Sequence, residues 1–333
     1  MRNIFDYKDN LHEMDHIPAI LKWGKIDGPK PNVSILMPVY NHPHFFKLAL
    51  ETAINQNYLG SYEIVVLDNN QDDDVNNINE FEKYIIEKKC PKVLYYKNEH
   101  NIDGINSYNR LPQLARADYF TFLHDDDELS VNCLSELMSI KDSKGLVREL
   151  IVPSSIFIDK DSKEIYKKRK FNGRDLWGKD YIMTLFDWFL LSYTNGGGVL
   201  HHRESFIELG GYCPEYIPSA DYAFYILYTS KYGAYFRNKE LFRYRWAEND
   251  SMIVYEKCTE RDRQFRTDMM SRISLPNCFL KKIISAGCNA RLKYSDERFK
   301  GSTNRKLSVS DKLTLKFMVV FKLLSHFKSL LLY

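Results

Sequence analysis

The sequence lacks the features that would mark a redox, zinc-ribbon or exported protein. Its six cysteines include no C-x-x-C pair, which argues against a zinc ribbon and a thioredoxin-like motif. The first residues contain no uninterrupted apolar core of a signal peptide, and no run of about 18 uncharged apolar residues occurs. We therefore expect reduced thiols, a cytoplasmic location and no membrane-spanning segment.

Neither sign of charge is in clear excess, and glycine is scarce where nucleotide folds often need it. Lysine and arginine number 47 against 44 aspartates and glutamates, so no nucleic-acid partner is expected. No glycine occurs between Gly28 and Gly60, which excludes a dinucleotide fingerprint in that stretch, and no P-loop motif is present. A site that must hold a diphosphate without a glycine cradle needs a metal ion.

Short apolar runs alternate with helical patterns early in the chain of 333 residues, whose length suggests about two structural units. The runs are 33–39, 62–67, 93–96 and 119–123, and the helical patterns begin at Pro43 and Ile105. The alternation predicts an α/β fold, with a mostly parallel central sheet flanked by helices. Ligands of such sheets bind beyond the carboxyl ends of the strands, where Asp68 and residues 125–127 are expected to converge.

Three adjacent carboxylates, Asp125, Asp126 and Asp127, follow the fourth apolar run. Their charges would repel one another unless a cation or hydrogen-bond donors hold them. Oxygen ligands at a partly open site suit Mg²⁺ or Mn²⁺, completed by water and substrate phosphates. The alternative is a solvated acidic turn that caps the next helix. The position at the end of a predicted strand favours the metal site.

Three features of the second half each allow two interpretations. Gly197 and Gly198 lie in a glycine run, which allows close approach to an acceptor or phosphate group, or a tight bend. Asp221 begins an apolar aromatic stretch, either as a functional acid or as a helix N-cap. Arg245 would bind phosphate, or would extend its side chain along the surface of a basic strand.

The end of the sequence has an amphipathic helical pattern. Apolar residues recur at spacings of three and four, with lysines outside this stripe: Leu313, Phe317, Val320, Leu324, Phe327 and Leu331. The pattern predicts a helix over 312–333 that lies on an anionic membrane surface, packs on a partner, or docks on its own domain.

Four segments together resemble the family 2 glycosyltransferases of the GT-A fold. They are 33–41 (VSILMPVYN), 63–70 (EIVVLDNN), 119–129 (YFTFLHDDDEL), and Gly210-Gly211-Tyr212 followed by Asp221. The resemblance covers about residues 32–250, and the four segments in order are more specific than any one alone. It implies an inverting hexosyl- or N-acetylhexosaminyltransferase that uses a nucleotide-diphosphate sugar, with a UDP-sugar as the expected donor.

The resemblance also implies roles for matching residues. Those expected to contact the donor nucleotide are Pro38, Tyr40, Asn41, Asp68, Asn109, Asp125 and Asp126. Asp125 and Asp127 would bind Mn²⁺ or Mg²⁺, with Asp127 as the second acid of a D-x-D motif. Asp221 would be the general base, taking a proton from the acceptor hydroxyl in a single displacement that inverts the anomeric carbon.

The sequence departs from the family pattern at several positions. His124 stands where many members have Asp, so the D-x-D register is 124/126 or 125/127, and we adopt 125/127 because it supplies two carboxylates. Ala220 replaces a Glu of the family, and Ala247 stands where members often have His. The alternatives are a catalytically silent sugar-nucleotide-binding or scaffold protein of the same fold, and a sugar nucleotidyltransferase.

The sequence pattern and the resemblance together divide the chain into four segments. Residues 1–31 are expected to form an amino-terminal arm, 32–135 a nucleotide-sugar-binding subdomain, 136–255 an acceptor-binding and catalytic subdomain, and 256–333 a basic helical region that associates with membranes. The expected acceptor is a saccharide or a lipid-linked saccharide. The family suggests a role in bacterial surface polysaccharide synthesis, at the inner face of the cell membrane.

Overall fold

A computed structural model of the protein describes residues 2–6, 8–70, 79–165, 179–190, 196–246, 255–299, 306–318 and 320. Its strands are β1 (Ala19–Trp23), β2 (Val33–Val39), β3 (Tyr62–Asp68), β4 (Val93–Asn98), β5 (Tyr119–Phe122), β6 (Glu128–Leu129), β7 (Leu150–Ile158), β8 (Tyr181–Met183), β9 (Leu200–His202) and β10 (Ala234–Arg245). Its helices are α1 (Pro43–Ile54), α2 (Glu80–Lys88), α3 (Gly104–Leu114), α4 (Cys133–Lys144), α5 (Leu185–Leu190), α6 (Arg203–Glu208), α7 (Ala220–Tyr232), α8 (Tyr255–Met269) and α9 (Asn277–Phe299). A further helical segment covers 309–318.

The described strands form one sheet in the order β1-β4-β3-β2-β5-β9-β7-β10-β6, with β8 pairing with β10. The neighbours β4, β3, β2 and β5 are parallel, so their carboxyl ends lie at one edge of the sheet. Strand β9 runs antiparallel to its neighbour β5, and strands β7 and β10 run parallel to each other. The expected α/β fold with a mostly parallel central sheet and flanking helices is confirmed.

The apolar runs are strands because both of their faces are buried. In β2, Leu36 belongs to one core cluster, whereas Ile35 and Met37 belong to the other. Successive side chains of a strand point to opposite faces, so a strand covered on both sides needs a continuous apolar run. This is why the four central strands could be predicted from composition alone.

The amino-terminal segment contains a strand that its sequence does not signal. Strand β1 pairs antiparallel with β4 at the edge of the sheet, and its side chains are only partly buried. An edge strand of this kind needs no continuous apolar run. Ahead of β1, Ile4 and Leu11 are buried, and the Ile4 N–H donates to Asp268 in α8. The segment 1–31 therefore packs against the rest of the fold in its described part.

The carboxyl-terminal region is helical in its described part. Helices α8 and α9 pack on each other, and Met318 of the 309–318 segment packs against the core. Within the described residues, none of the helices has the length and apolar character needed to cross a membrane.

Candidate active site

The acidic residues form a tight turn at the carboxyl end of β5. The Leu123 N–H still donates to Leu36 O of β2 at 2.9 Å, and the Asp127 N–H donates to His124 O at 3.3 Å to close the turn. Strand β6 begins at the next residue and pairs with β10. The turn therefore lies beside the end of β2, at the edge of the sheet where the sequence predicted a ligand crevice.

Asp127 is fully buried, and both of its carboxylate oxygens have partners. Oδ1 accepts the backbone N–H of Arg245 at 2.7 Å, and Oδ2 lies 2.7 Å from His124 Nδ1. The next helix, α4, has Asn132 at its N-cap position, so the alternative of an acidic turn that caps this helix is wrong. Asp127 instead joins the acidic turn to β10.

Asp125 and Asp126 have different surroundings. The Asp125 carboxylate accepts the backbone N–H of Tyr40 at 2.8 Å, which links the acidic turn to the loop after β2. His124, Asp126 and Asp127 each offer a ligand atom, and these atoms all lie within 4.8 Å of one another. An imidazole and two carboxylates at this spacing fit a divalent cation. Asp125 lies outside this group of three.

The turn holds three partly or fully buried acids beside one imidazole. Burial, reinforced by the charge of Asp126, raises the pKa values of Asp125 and Asp127 to about 7 each. Burial opposes protonation of His124, but the hydrogen bond to Asp127 and the neighbouring carboxylates raise the pKa of His124 to about 9. The crevice thus concentrates negative charge, which a cation would neutralise.

Arg245 is placed differently from the expected phosphate ligand. Its side chain is 2% exposed, and its Nε, Nη1 and Nη2 atoms donate to Asp126 O, Asp159 O and Glu128 Oε1 at 2.6–2.7 Å. The guanidinium also lies over the Phe45 ring, 4.8 Å from its centroid. These contacts make Arg245 a support for the acidic turn, because most of its donors are already used inside the protein.

The glycine run packs closely against β10 and forms a tight bend. A Cβ at Gly197 would overlap the ring of Phe242, and a Cβ at Gly198 would lie 2.8 Å from Phe242 Cβ. The Gly198 N–H donates to Phe122 O at 2.9 Å. These contacts support the interpretation of Gly197 and Gly198 as part of a tight bend. Of the three consecutive glycines, only Gly196 lies beside the acidic residues.

Asp221 lies in the first turn of α7 and borders the same space as the acidic turn. The N-cap position belongs to Ser219, so the interpretation of Asp221 as the N-cap residue is wrong. A Cβ added at Gly196 would stand 3.1 Å from His124 Nε2 and 3.5 Å from Asp221 Oδ2. Gly196, whose φ is +68°, therefore lies beside both groups, and a side chain there would crowd them.

Tyr108 is a crevice residue that the sequence did not single out. It lies in α3, and its ring packs edge-on against His124 with 5.8 Å between centroids. Burial, followed by the charges of Asp125, Asp126, Asp127 and Asp221, holds the pKa of Tyr108 well above its ordinary value. One aromatic residue among 23 tyrosines carries no sequence signal that separates it from core packing.

Two expected donor contacts lie inside the protein. Asp68 is fully buried, and its carboxylate accepts from the Asn70 N–H at 2.8 Å and from Asn79 Nδ2 and the Tyr95 hydroxyl at 2.6 Å each. Asp68 thus organises the chain after β3.

Asn109 is 1% exposed, and its amide bonds both backbone polar groups of Tyr212 at 2.7 and 2.8 Å. A Cβ at Gly211 would meet Asn109 Oδ1 at 2.6 Å. Asn109 therefore braces the Gly-Gly-Tyr turn, a placement that differs from the expected nucleotide contact.

The residues expected after β2 do reach the sheet edge. Pro38 lies near the end of β2 opposite Leu67, and Tyr40 follows with 48% of its side chain exposed. Asn41 has a positive φ of +62°, and its N–H donates to Asn70 Oδ1 at 3.0 Å. Ala247 lies outside the described residues.

The fold is similar to that of the GT-A glycosyltransferases TarS and PcManGT. The chain is similar to Staphylococcus aureus TarS residues 1–349 in complex with UDP-GlcNAc, with a TM-score of 0.56, 11% identity, and coverage of 86% of this chain and 79% of TarS. It is similar to the mannosyltransferase PcManGT of Pyrobaculum calidifontis in complex with GDP-Man and Mn²⁺, with a TM-score of 0.55, 12% identity, and coverage of 92% and 81%. At these identities the likeness defines the fold.

The sequence defines the family. The model of glycosyl transferase family 2 matches residues 34–210, more than half of the chain, and the chain belongs to this family. It is 30% identical over 161 residues to the GalNAc(5)-diNAcBac-PP-undecaprenol beta-1,3-glucosyltransferase of Campylobacter jejuni, covering 47% of this chain and 49% of that protein. It is 23% identical to the putative colanic acid biosynthesis glycosyl transferase WcaA of Escherichia coli, covering 47% and 57%. The matches thus span about half the length of these two relatives.

Proposed function

We propose that the protein is an inverting, metal-dependent glycosyltransferase that moves a sugar from a nucleotide-diphosphate donor to a saccharide or a lipid-linked saccharide. Residues 32–135 would bind the donor, and 136–255 would bind the acceptor. The observation that carries the proposal is the common space at Gly196, which His124 and Asp221 both border. The group proposed to bind the cation and the candidate base would thus act on substrates held beside Gly196.

Asp221 is the proposed general base. As the acceptor oxygen attacks the anomeric carbon, Asp221 takes the hydroxyl proton, and the bond to the nucleotide diphosphate breaks on the opposite side. A bound divalent cation would supply charge neutralisation for the departing diphosphate. Tyr108, packed against His124, would limit the space that the donor sugar occupies. Holding the reactants in this geometry lowers the entropic cost of the reaction.

We propose the register 124/126 for the cation in preference to 125/127. The group that fits a cation comprises His124, Asp126 and Asp127, whereas the Asp125 carboxylate bonds the Tyr40 N–H. In this proposal Asp125 shapes the nucleotide pocket together with Pro38, Tyr40 and Asn41. The ion is Mn²⁺ or Mg²⁺, and the Mn²⁺ in the PcManGT complex supports a divalent ion in this fold.

The relatives support the choice of substrates. TarS binds UDP-GlcNAc, which supports a UDP-sugar as donor, although PcManGT binds GDP-Man. The Campylobacter relative is named for an undecaprenyl-diphosphate-linked saccharide substrate, and WcaA is named for colanic acid biosynthesis. We therefore propose a role in bacterial surface polysaccharide synthesis.

A panel of nucleotide sugars tests the donor. UDP-GlcNAc, UDP-glucose and GDP-mannose are added to the protein with and without Mn²⁺, and the melting temperature is measured. A ligand at a hundredfold excess over its Kd stabilises the folded state by about 2.7 kcal/mol. We expect a UDP-sugar to give the largest shift, and only with Mn²⁺.

The same panel separates the alternatives. A larger shift with GDP-mannose would contradict the UDP preference, and no shift with any donor would contradict the transferase. Binding of a donor without release of UDP in the presence of any acceptor would favour the catalytically silent protein.

We further propose that the carboxyl-terminal helical segment meets an anionic membrane surface at the inner face of the cell membrane. Four of its apolar side chains are about half or more exposed: Val309, Leu313, Phe317 and Val320. Lys312 and Lys316 are exposed beside them, so the surface combines apolar area with positive charge. Such helices bind anionic lipid interfaces. The rest of the predicted stripe, from 321 onward, lies outside the described residues.

Replacing Leu313 and Phe317 together with Ser is expected to release the protein from anionic vesicles. Removing two large apolar side chains costs about 3 kcal/mol of burial, or about a hundredfold in partitioning. Co-sedimentation with phosphatidylglycerol vesicles measures this loss. The matched control replaces Val147 and Ile182, which are equally exposed elsewhere, with Ser and should bind like the wild type. Equal binding by both double variants, or no binding by the wild type, would contradict this interface.

A further inference from the structure

We propose that His124 supplies a nitrogen ligand to the divalent cation and thereby makes the site prefer Mn²⁺ to Mg²⁺. This inference rests on the proposed metal-dependent function. It concerns which atoms hold the ion and which ion they select.

The spacing of His124 and Asp127 suits two neighbouring ligands of one cation. His124 Nδ1 and Asp127 Oδ2 lie 2.7 Å apart. Adjacent ligands of an octahedral ion with bonds of about 2.1 Å stand about 3 Å apart. The two atoms share a hydrogen bond, so a cation held by both would displace that proton and lie to one side of the line between them, with the pair opened by about 0.3 Å and the imidazole turned toward the ion. Asp126 lies within 4.8 Å of both groups and offers a third ligand atom.

The surroundings of His124 keep its ring in the cluster. The rings of Tyr108 and Phe242 pack edge-on against it, with centroid distances of 5.8 and 5.9 Å. The backbone at Gly196 approaches so closely that a Cβ there would lie 3.1 Å from both Cε1 and Nε2 of the ring. A ring fixed in this way loses little freedom when it binds a cation.

The chemical types of the ligand atoms determine which ion the site prefers. Mg²⁺ is bound through oxygen atoms in near-ideal octahedral geometry and keeps several waters. Imidazole nitrogen is typically a ligand of transition metals, and among these Mn²⁺ has the lowest affinity for mixed nitrogen and oxygen sites and the strongest preference for oxygen, yet as a softer ion than Mg²⁺ it accepts one nitrogen ligand more readily. A site with one imidazole and two carboxylates therefore discriminates against Mg²⁺ more than an all-carboxylate site does.

Among the described residues, His42 is a second histidine near Asp126. It lines a small cavity together with Phe45, Asp126 and Arg245. A nitrogen signal from bound Mn²⁺ could therefore come from either histidine, and both have to be replaced separately.

Pulsed electron paramagnetic resonance of the full chain loaded with Mn²⁺ tests the proposal directly. The wild type is expected to show modulation from a coordinated ¹⁴N nucleus. His124→Asp should keep Mn²⁺ bound but lose this signal, and His124→Gln should also lose it without adding a charge. His42→Asn, the matched control, should retain the signal. In competition, wild type should need about tenfold more Mg²⁺ than His124→Asp to displace half of the Mn²⁺.

The outcomes separate this inference from the function on which it rests. Mn²⁺ bound by the wild type without a nitrogen signal, or a signal that persists in His124→Asp, would overturn the role of His124 and leave the transferase intact. The same Mg²⁺ requirement in both proteins would overturn the ion preference. Mn²⁺ binding that is absent from the wild type would overturn the metal dependence itself.

Discussion

Replacing Asp221 with Asn is expected to lower kcat by about 10²–10⁴-fold, the range that a positioned general base contributes. Asn keeps the size of the side chain but cannot take the proton of the acceptor hydroxyl. The Kd for the donor nucleotide should stay unchanged, because Asp221 faces the acidic turn across the space at Gly196 and is not one of the three groups that fit a cation. UDP release in the presence of acceptor gives kcat, and calorimetry gives the Kd.

A second acid in the first turn of a helix provides the control. Glu204 has the same position in α6 and is exposed. Glu204→Gln removes a negative charge near a helix amino terminus without touching the crevice, so its kcat should equal that of the wild type. Near-normal turnover by Asp221→Asn would exclude Asp221 as the base.

Replacing Asp126 with Asn is expected to remove most Mn²⁺-dependent nucleotide binding and to leave the melting temperature unchanged or higher. The charge of Asp126 raises the pKa values of both neighbouring acids, so its loss relieves repulsion in the folded state. Loss of one carboxylate from a three-ligand site should weaken Mn²⁺ binding at least about tenfold. Titration of Mn²⁺ and then of UDP against the variant measures both effects.

The two neighbouring acids provide contrasting variants. Asp127→Asn should lower the melting temperature, because both of its oxygens accept hydrogen bonds in the interior, and a mispaired buried group costs about 1–3 kcal/mol. Asp125→Asn should keep Mn²⁺ binding. Retention of Mn²⁺ by Asp126→Asn together with its loss in Asp125→Asn would return the cation to the register 125/127.

The sequence predicted the central sheet well because strands that are buried on both faces consist of continuous apolar runs. Strands β2 to β5 match their apolar runs within two residues at each end, and α1 and α3 match the helical spacing. It did not predict β1, whose half-exposed edge position requires no apolar run. Strand β6 consists of only two residues and forms because β10 lies beside it.

The sequence predicted where the acidic turn lies, but it did not predict which contacts each polar residue makes. Asp68 and residues 125–127 were expected to converge at one sheet edge, and the acidic turn lies there, whereas the Asp68 carboxylate is buried among protein partners. Asp221, which was not part of that expectation, lies beside the turn at Gly196. Asp68, Asn109 and Arg245 carry the same polar groups as ligand-binding residues, yet their partners come from distant parts of the chain. Only tertiary contacts decide whether a polar side chain faces a substrate or the protein interior.

The hydrogen bond between Asp127 and the Arg245 backbone joins the two proposed subdomains, 32–135 and 136–255, so that neither can be exchanged alone. A hybrid that joined residues 32–135 to a foreign second half would need a strand with the path of β10, because β6 pairs with it and the buried carboxylate takes its N–H. Exchanging the whole proposed acceptor subdomain would therefore disturb the acidic turn, and with it the proposed nucleotide site. Re-engineering of this enzyme should change individual crevice residues on an intact sheet.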